Sequence, residues 1–142
     1  MIILDTNVLS ALMRSKPEER VARWLDRQPA ESVWTTSITV FEARFGIALL
    51  PPGGRRRDLE QSFARVLQED LENRILDFDR AAAAEAATLA AARQRAGRPV
   101  DFRDTQIAGI ALSHCASLAT RNVRHFQGLK VTVVDPWKAG KR

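Results

Sequence analysis

The chain has 142 residues, of which 45% are hydrophobic, and this excludes a disordered chain and suits one domain with a buried core over residues 1–142. Its single cysteine excludes an intramolecular disulfide, and no apolar run approaches membrane-spanning length, so we expect a cytoplasmic protein with no membrane partner. The 22 lysines and arginines exceed the 17 aspartates and glutamates, and the net charge of +5 favours a polyanionic partner such as nucleic acid.

The chain opens on a short apolar run that predicts a strand buried on both faces. This run, residues 2–4, stops at Asp5, and Thr6 and Asn7 are residue types that cap a following helix. Ligands gather at the carboxyl ends of strands in an open parallel sheet. From this stretch alone, Asp5 either caps the next helix or belongs to a metal or substrate site. Further on, residues 15–18 match a capping box for a second helix.

After a second strand at residues 33–35, a third helix carries an apolar stripe that we expect to face inward. Its members recur at spacings of three and four: Ile38, Phe41, Phe45 and Leu49. Glu42 falls on the same stripe, where a charged side chain needs a cation, a metal or hydrogen-bond donors. The alternative is a structural carboxylate paired with an arginine such as Arg44, but Arg44 is only two positions away and points elsewhere on a helix, so the pattern favours a functional role for Glu42.

The middle of the chain predicts two more helices separated by a strand. Arginines 55–57 open the first helix, where they oppose the helix dipole; a solvated surface is the common explanation, and nucleic-acid or partner contact is the alternative. After a strand at residues 75–78, Asp79 is expected to cap an alanine-rich helix that stops at Gly97, with Pro99 following. The expected small-residue face of that helix comprises Ala83, Ala86, Ala87 and Ala90.

The last long helix carries another acidic residue on its expected inner face. Asp101 is a natural N-cap, and Asp104 shares a face with Ile107, Ala108 and Ala111. Asp104 is therefore either a capping carboxylate or part of a site. We expect Cys115, just after this helix, to be a small buried hydrophobe. Strands then follow at residues 118–120 and 131–134.

Short strands that alternate with helices predict an α/β fold, with a central, mostly parallel sheet of about five short strands flanked by helices. Asp5 and Asn122 follow strands, while Glu42 and Asp104 lie in the first turns of helices, so all four residues can open on one edge of the sheet. Carboxylate and amide oxygens without a histidine or cysteine cluster suit Mg²⁺ or Mn²⁺ rather than zinc. Such ions assist phosphodiester hydrolysis.

With these motifs, the sequence resembles PIN-domain ribonucleases, and among them the VapC and FitB-type toxins of bacterial toxin–antitoxin pairs. The matching stretches are residues 3–7 (ILDTN), 41–42 (FE), 104–108 (DTQIA), 118–126 (LATRNVRHF) and 135–137 (DPW). The resemblance implies a single PIN-like, Rossmann-like domain. It also implies that Asp5, Glu42 and Asp104 bind metal, and that Asn122 stands where many relatives carry a fourth acid.

The same resemblance implies Mg²⁺-dependent RNA cleavage, with Mn²⁺ as a substitute, a homodimer and inhibition by a cognate antitoxin that covers the site. Thr6 and Thr120 would be secondary site residues, through hydroxyl contacts to the metal ligands or to phosphate. Arg121 and Arg124 are candidate contacts to RNA or antitoxin, and His125 is expected to be an ordinary surface histidine.

Two other interpretations of the residues compete with this one. A phosphoacceptor receiver domain would need adjacent acids early and a strand-end lysine late, which this chain lacks. A catalytically weak PIN-like module that only binds RNA or protein remains the alternative, because Asn122 replaces an acid.

Overall fold

A computed structural model describes residues 1–98 and 101–139, so Pro99 and the basic tail after residue 139 lie outside the described residues. Its centre is a five-stranded sheet in the order β3-β2-β1-β4-β5, and every neighbouring pair is parallel. The strands are β1 (Ile2–Leu4), β2 (Val33–Thr36), β3 (Ile75–Leu76), β4 (Ser117–Ala119) and β5 (Val133–Val134). The predicted α/β fold with five short strands is confirmed.

Helices connect the strands and cover both faces of this sheet. They are α1 (Thr6–Met13), α2 (Glu19–Asp26), α3 (Ser37–Ala48), α4 (Gly54–Arg65), α5 (Arg80–Arg95) and α6 (Phe102–His114). A one-turn 3₁₀ helix at Val123–Phe126 follows β4. No helix in the described part of the chain is long and apolar enough to cross a membrane.

Several polar side chains lie at the N-termini of helices, where they act as caps. The side chains of Thr36, Asp79 and Asp101 cap α3, α5 and α6 by accepting hydrogen bonds from backbone N–H groups, as their residue types favour. The predicted capping box at residues 15–18 is wrong. Because α2 begins only at Glu19, Ser15 lies too far upstream to cap it, and Glu18 makes no side-chain cap.

The central strand β1 contributes to two cores, one on each face of the sheet. Leu4 belongs to the core that includes Leu9 and Phe63, whereas Ile3 belongs to the core that includes Ile107 and Phe126. Successive side chains of a strand point to opposite faces. This is why residues 2–4 form an uninterrupted apolar run.

The contact between α5 and α6 is unusually close because it is built from small residues. A Cβ atom at Gly109 of α6 would lie 2.5 Å from the backbone oxygen of Ala82 and 2.7 Å from the Cβ of Ala86. The prediction of a small-residue face is right for Ala86, but the face runs through Ala82, and Ala87 is exposed. Packing against α6, rather than alanine spacing, selects the buried face.

The predicted inner face of α3 is wrong for three of its four residues; the fourth, Ile38, is partly buried against the core that includes Ile107. Phe41, Phe45 and Leu49 are 59%, 51% and 70% exposed, and the two phenyl rings stack with centroids 6.0 Å apart. The buried residues of α3 are Thr39 and Ile47 instead. An apolar stripe at helical spacing indicates a helix face that is stabilised by burial, but it does not show whether that face packs against this chain or against another one.

The prediction that Cys115 is buried is also wrong, since its side chain is exposed. Cys115 forms the C-cap of α6 in the left-handed conformation, with a φ of 51°. Cys115 therefore ends α6 at the protein surface, and its side chain does not pack in the core. Gly97, by contrast, follows α5 with a φ of 70°, as expected of a helix stop.

Candidate active site

Asp5 lies at the carboxyl end of β1 and is only 3% exposed. One carboxylate oxygen accepts a hydrogen bond from the backbone N–H of Thr6 at 2.8 Å, and the other accepts one from the Thr120 hydroxyl at 2.7 Å. Asp5 is therefore both a helix cap and a strand-end carboxylate that faces a neighbouring strand end. Burial raises the pKa of Asp5, and these hydrogen bonds only partly oppose the rise.

Glu42 reaches the same edge of the sheet from the second turn of α3. The Thr6 hydroxyl donates to its Oε1 at 3.1 Å, and the Arg103 guanidinium lies 3.6 Å from its Oε2. Thr39, one turn before Glu42, has its hydroxyl 3.4 Å from that of Thr6. Desolvation raises the pKa of Glu42, while Thr6 and Arg103 act in the opposite direction. The polar environment that Glu42 requires therefore exists, although most of the apolar stripe on which Glu42 lies is exposed.

Asp104 completes the group from the first turn of α6, whose N-cap is Asp101. Its Oδ2 lies 2.8 Å from Nδ1 of His125 in the short helix after β4. His125 is half-exposed, as a surface histidine would be, but its contact with Asp104 was not anticipated. Asp104 therefore lies near the other two carboxylates, close enough for its charge to affect Asp5.

The three carboxylates are close enough to affect one another electrostatically. The charge of Asp104 contributes to the raised pKa of Asp5, and the charges of both contribute to that of Glu42. Arg103 and His125 are the basic side chains that pair with Glu42 and Asp104. We call the group formed by Asp5, Glu42 and Asp104 the acidic pocket; it concentrates negative charge at the end of β1, where burial makes that charge costly.

A hydrogen-bond network joins the ends of β1 and β4. The Asn7 amide lies 3.5 Å from Asp5 Oδ2 and 3.4 Å from the Thr120 hydroxyl, and its oxygen accepts from the backbone N–H of Arg121. The backbone N–H of Asn122 also donates to the Thr120 hydroxyl, whereas the Asn122 side chain is exposed. Of the two asparagines, Asn7 is the one whose amide contacts the carboxylate of Asp5.

The two candidate RNA-contacting arginines lie beyond this network. The Arg121 guanidinium sits 4.8 Å above the ring centroid of Trp137, in a cation–π arrangement. Arg124 lies at the boundary of two surface cavities and contacts neither Asp5 nor Glu42. Both residues are exposed and line the same surface cavity as His125, which contacts Asp104; we call this basic border the rim of the acidic pocket.

The donor chemistry of the pocket fits a hard divalent cation. Carboxylate and hydroxyl oxygens are the ligands of Mg²⁺ and Mn²⁺, and such an ion would stabilise the ionised forms of Asp5 and Glu42, whose pKa values are raised first by burial and then by the neighbouring carboxylates. Within the described residues, however, no three histidine, cysteine or carboxylate side chains form a ready-made metal cluster. Glu42 lies 3.6 Å from Arg103 and Asp104 lies 2.8 Å from His125, so a cation bound here would compete with these basic side chains.

Besides the contact of His125 with Asp104, three contacts of the pocket were missed from sequence: those of Thr39, Arg103 and Asn7. Each residue had a local signal, since Thr39 precedes Glu42 by one helical turn, Arg103 adjoins Asp104, and Asn7 follows Asp5 by two positions. A hydroxyl, amide or guanidinium so close to a proposed site carboxylate is a candidate to bind it.

Comparison with known proteins gives a consistent result over nearly the whole chain. The family model "PIN domain" matches residues 2–130. The plasmid stability protein StbB of Pseudomonas syringae pv. tomato is 39% identical over 139 residues, covering 98% of this chain and 100% of that protein. The VapC ribonuclease Y4jK of Sinorhizobium fredii is 35% identical over 138 residues, covering 97% and 99%. The crystal structure of FitAcB from Neisseria gonorrhoeae superposes with a TM-score of 0.81 at 36% identity, covering 97% and 99%.

Proposed function

Because this chain belongs to the PIN-domain family, we propose that it is a metal-dependent endoribonuclease that acts as the toxin of a toxin–antitoxin pair. The observation that carries the proposal is the meeting of Asp5, Glu42 and Asp104, from three separate elements, at the carboxyl edge of the sheet. The relative named VapC ribonuclease supports the reaction class. The net charge of +5 is favourable for binding RNA, which is a polyanion. An RNA substrate in turn implies that the protein acts in the cytoplasm.

In this proposal each residue of the pocket has a distinct role. Asp5, Glu42 and Asp104 hold Mg²⁺, or Mn²⁺ in its place, through carboxylate oxygens. Thr6 and Thr120 orient Glu42 and Asp5 through the hydrogen bonds already described. Asn122, which adds no charge, remains a further candidate at the rim.

The reaction is hydrolysis of an RNA phosphodiester. A water oxygen attacks phosphorus in line with the departing 3′ oxygen, the P–O3′ bond breaks, and the products carry a 5′-phosphate and a 3′-hydroxyl. When bound, the metal ion supplies a polarised water and neutralises charge on the phosphate. The chain contributes the carboxylates, the hydroxyls that orient them, and a basic rim for the polyanion.

A groove next to the pocket suits the antitoxin. It encloses about 350 Å³ between α1, α3 and α4, is lined by apolar side chains including Met13, Ile47 and Leu59, and reaches Thr6 and Glu42. A partner segment with an apolar face would cover the catalytic edge from this groove. Inhibition by occlusion then follows without any change in the fold.

We assign the exposed face of α3 to a second copy of this chain. Phe41, Phe45 and Leu49 form an exposed apolar face beside the antitoxin groove, and an isologous dimer brings the same patch of two subunits together. Replacing Phe41 and Phe45 with serine is expected to convert a dimer to a monomer in sedimentation equilibrium. A wild-type chain that is monomeric at micromolar concentration would contradict this assignment.

The function is tested with purified chain free of antitoxin, on a structured RNA, with Mg²⁺, with Mn²⁺ and with EDTA. Cleavage is expected to require the metal, to leave a 5′-phosphate, and to disappear in Asp5→Asn. Asp79→Asn is the matched control, because it makes the same chemical change at the N-cap of α5, where asparagine caps equally well. This control is expected to cleave like the wild type.

Two results would contradict the proposal. Cleavage that survives both EDTA and Asp5→Asn would come from a contaminating nuclease. Metal-independent RNA or protein binding without cleavage of any RNA would favour the alternative, a PIN-like binding module.

A further inference from the structure

A basic cavity lies beside the short helix Val123–Phe126, which contributes Arg124 to it. It encloses about 440 Å³ and is lined by Leu89, Ala92, Arg93, Ala96, Arg98, Arg124 and Gln127. This volume is within the range of roughly 300–1,000 Å³ that small-molecule sites occupy. We call it the basic cavity.

Three arginines line the basic cavity, and no carboxylate is among its lining residues. In the described part of the chain, Arg93, Arg98 and Arg124 form no salt bridge, whereas several other arginines pair with nearby acids. Bringing like charges together is unfavourable unless an anion joins them. The cavity is therefore complementary to a ligand with negative charge.

Helix-dipole stabilisation explains only part of this cluster. Arg93 and Arg95 lie in the last turn of α5, where cations stabilise the partial negative charge of the helix end. Arg98 lies beyond the end of α5 and Arg124 lies in a separate helix, yet both line the same cavity as Arg93. Arg95 does not line it.

The basic cavity is connected to the proposed catalytic pocket through Arg124. A second cavity of about 240 Å³ shares Arg124 and is lined by Asn122 and His125, with Asp135 as its one acidic residue. His125 in turn contacts Asp104. A path of neighbouring residues therefore leads from Asp104, through His125 and Arg124, to Arg93 and Arg98.

We propose that the basic cavity binds a backbone phosphate of the RNA strand several nucleotides from the cleaved bond. The inference rests on the proposed function, because the path from the acidic pocket is what selects RNA among anions. Arginine binds phosphate through paired N–H donors, and the apolar side chains of Leu89, Ala92 and Ala96 offer a surface for a ribose or base. The cavity positions the strand; it does not take part in the bond cleavage.

The test measures binding of a fluorescein-labelled 15-nucleotide oligouridine to the full chain in EDTA, by anisotropy at several salt concentrations. The variants are Arg93→Gln, Arg98→Gln, Arg124→Gln and their triple combination. Arg95→Gln is the matched control, since it removes the same charge from the same helix end without altering the cavity. All four side chains are exposed or partly exposed, and thermal melting checks that every variant is folded.

Each phosphate contact to a single strand contributes about 0.7 to the slope of log affinity against log salt, which corresponds to about fivefold in affinity at 0.1 M salt. The triple variant is therefore expected to lose about 2 from the slope and about 100-fold in affinity. Arg95→Gln is expected to change neither quantity appreciably.

Three outcomes would overturn the inference: a triple variant that binds with wild-type affinity and slope, equal losses in Arg95→Gln, or polyglutamate that competes as well as oligouridine. The last would assign the cavity to an acidic protein partner. Failure of the proposed function is recorded separately, as absence of metal-dependent cleavage by the wild type, because the binding assay requires no cleavage.

Discussion

The substitution Gly109→Ala tests how α6, and with it Asp104, is held in place. Gly109 lies in the middle of α6, facing α5 at the point of closest approach. The added Cβ would lie 2.5 Å from the Ala82 backbone oxygen and 2.7 Å from the Ala86 Cβ, both well inside van der Waals contact. Neither atom can rotate away, so the two helices must separate.

The expected cost follows from two opposing effects. Overpacking a close contact costs about 1–3 kcal/mol, and a clash with backbone belongs at the upper end of that range. Alanine is favoured over glycine in a helix by about 1 kcal/mol. The free energy of unfolding is therefore expected to fall by about 2 kcal/mol, which lowers the melting temperature by roughly 6 °C in a chain of this size.

Urea unfolding at equilibrium measures this loss, and Gly46→Ala provides the control. Gly46 lies inside α3, and a Cβ atom added there would have no neighbour within 4 Å, so only the helix-propensity gain of up to about 1 kcal/mol remains. The two variants are thus expected to change stability in opposite directions with similar m-values. Gly109→Ala is also expected to slow RNA cleavage under conditions where it is folded, because Asp104 moves with α6.

A Gly109→Ala variant as stable as the wild type would refute the reasoning, since it would mean that α5 and α6 separate at no cost. Stabilisation of both variants to the same extent would lead to the same conclusion. A loss of stability in Gly46→Ala would show instead that the helix-propensity argument fails in this fold.

The remaining predictions concern the carboxylates and their hydrogen bonds. In EDTA, the free energy of unfolding is expected to fall as the pH rises through the raised pKa values of Asp5 and Glu42, because the folded chain holds these protons to higher pH than the unfolded chain does. Urea unfolding at several pH values measures this dependence, and Asp5→Asn should reduce the slope of the free energy of unfolding against pH. An unchanged slope would contradict the burial argument. Thr120→Val removes the 2.7 Å hydrogen bond to Asp5 and should lower the free energy of unfolding by about 1.5–3 kcal/mol. It should also weaken Mg²⁺ binding in calorimetry, whereas Thr120→Ser should retain both the stability and the Mg²⁺ affinity of the wild type. Asp79→Ala removes the hydrogen bond from the Ala82 N–H and should cost about 1 kcal/mol in urea unfolding; a loss equally large in Asp79→Asn would show that the charge, not the cap, matters.

Much of the local structure can be predicted from the sequence because the relevant forces act between near neighbours. The apolar run before Asp5 predicts the buried central strand, and Asp79 and Asp101 are side chains that cap the helices directly after them. The alternation of strands and helices then predicts a parallel sheet. The expectation that Asp5, Glu42 and Asp104 share one edge follows from that topology, and their electrostatic coupling is consistent with it.

The outer face of α3 shows where this local reasoning fails. Phe41, Phe45 and Leu49 form a regular apolar stripe, yet they are exposed, and Thr39 and Ile47 are buried in their place. The spacing of apolar residues identifies the hydrophobic face of a helix. It contains no information about whether the surface that covers that face is part of the same molecule.

The partners of the site residues depend on contacts between distant parts of the chain. Thr120 meets Asp5 across 115 positions, and Thr6 meets Glu42 across 36. The basic cavity likewise combines Arg93, Arg98 and Arg124 from two helices and a connecting segment. Sequence patterns determined which residues lie at strand ends and helix starts, because those preferences are local; only the tertiary structure decided which of them meet, because that depends on strand order and on how closely α5 and α6 can pack.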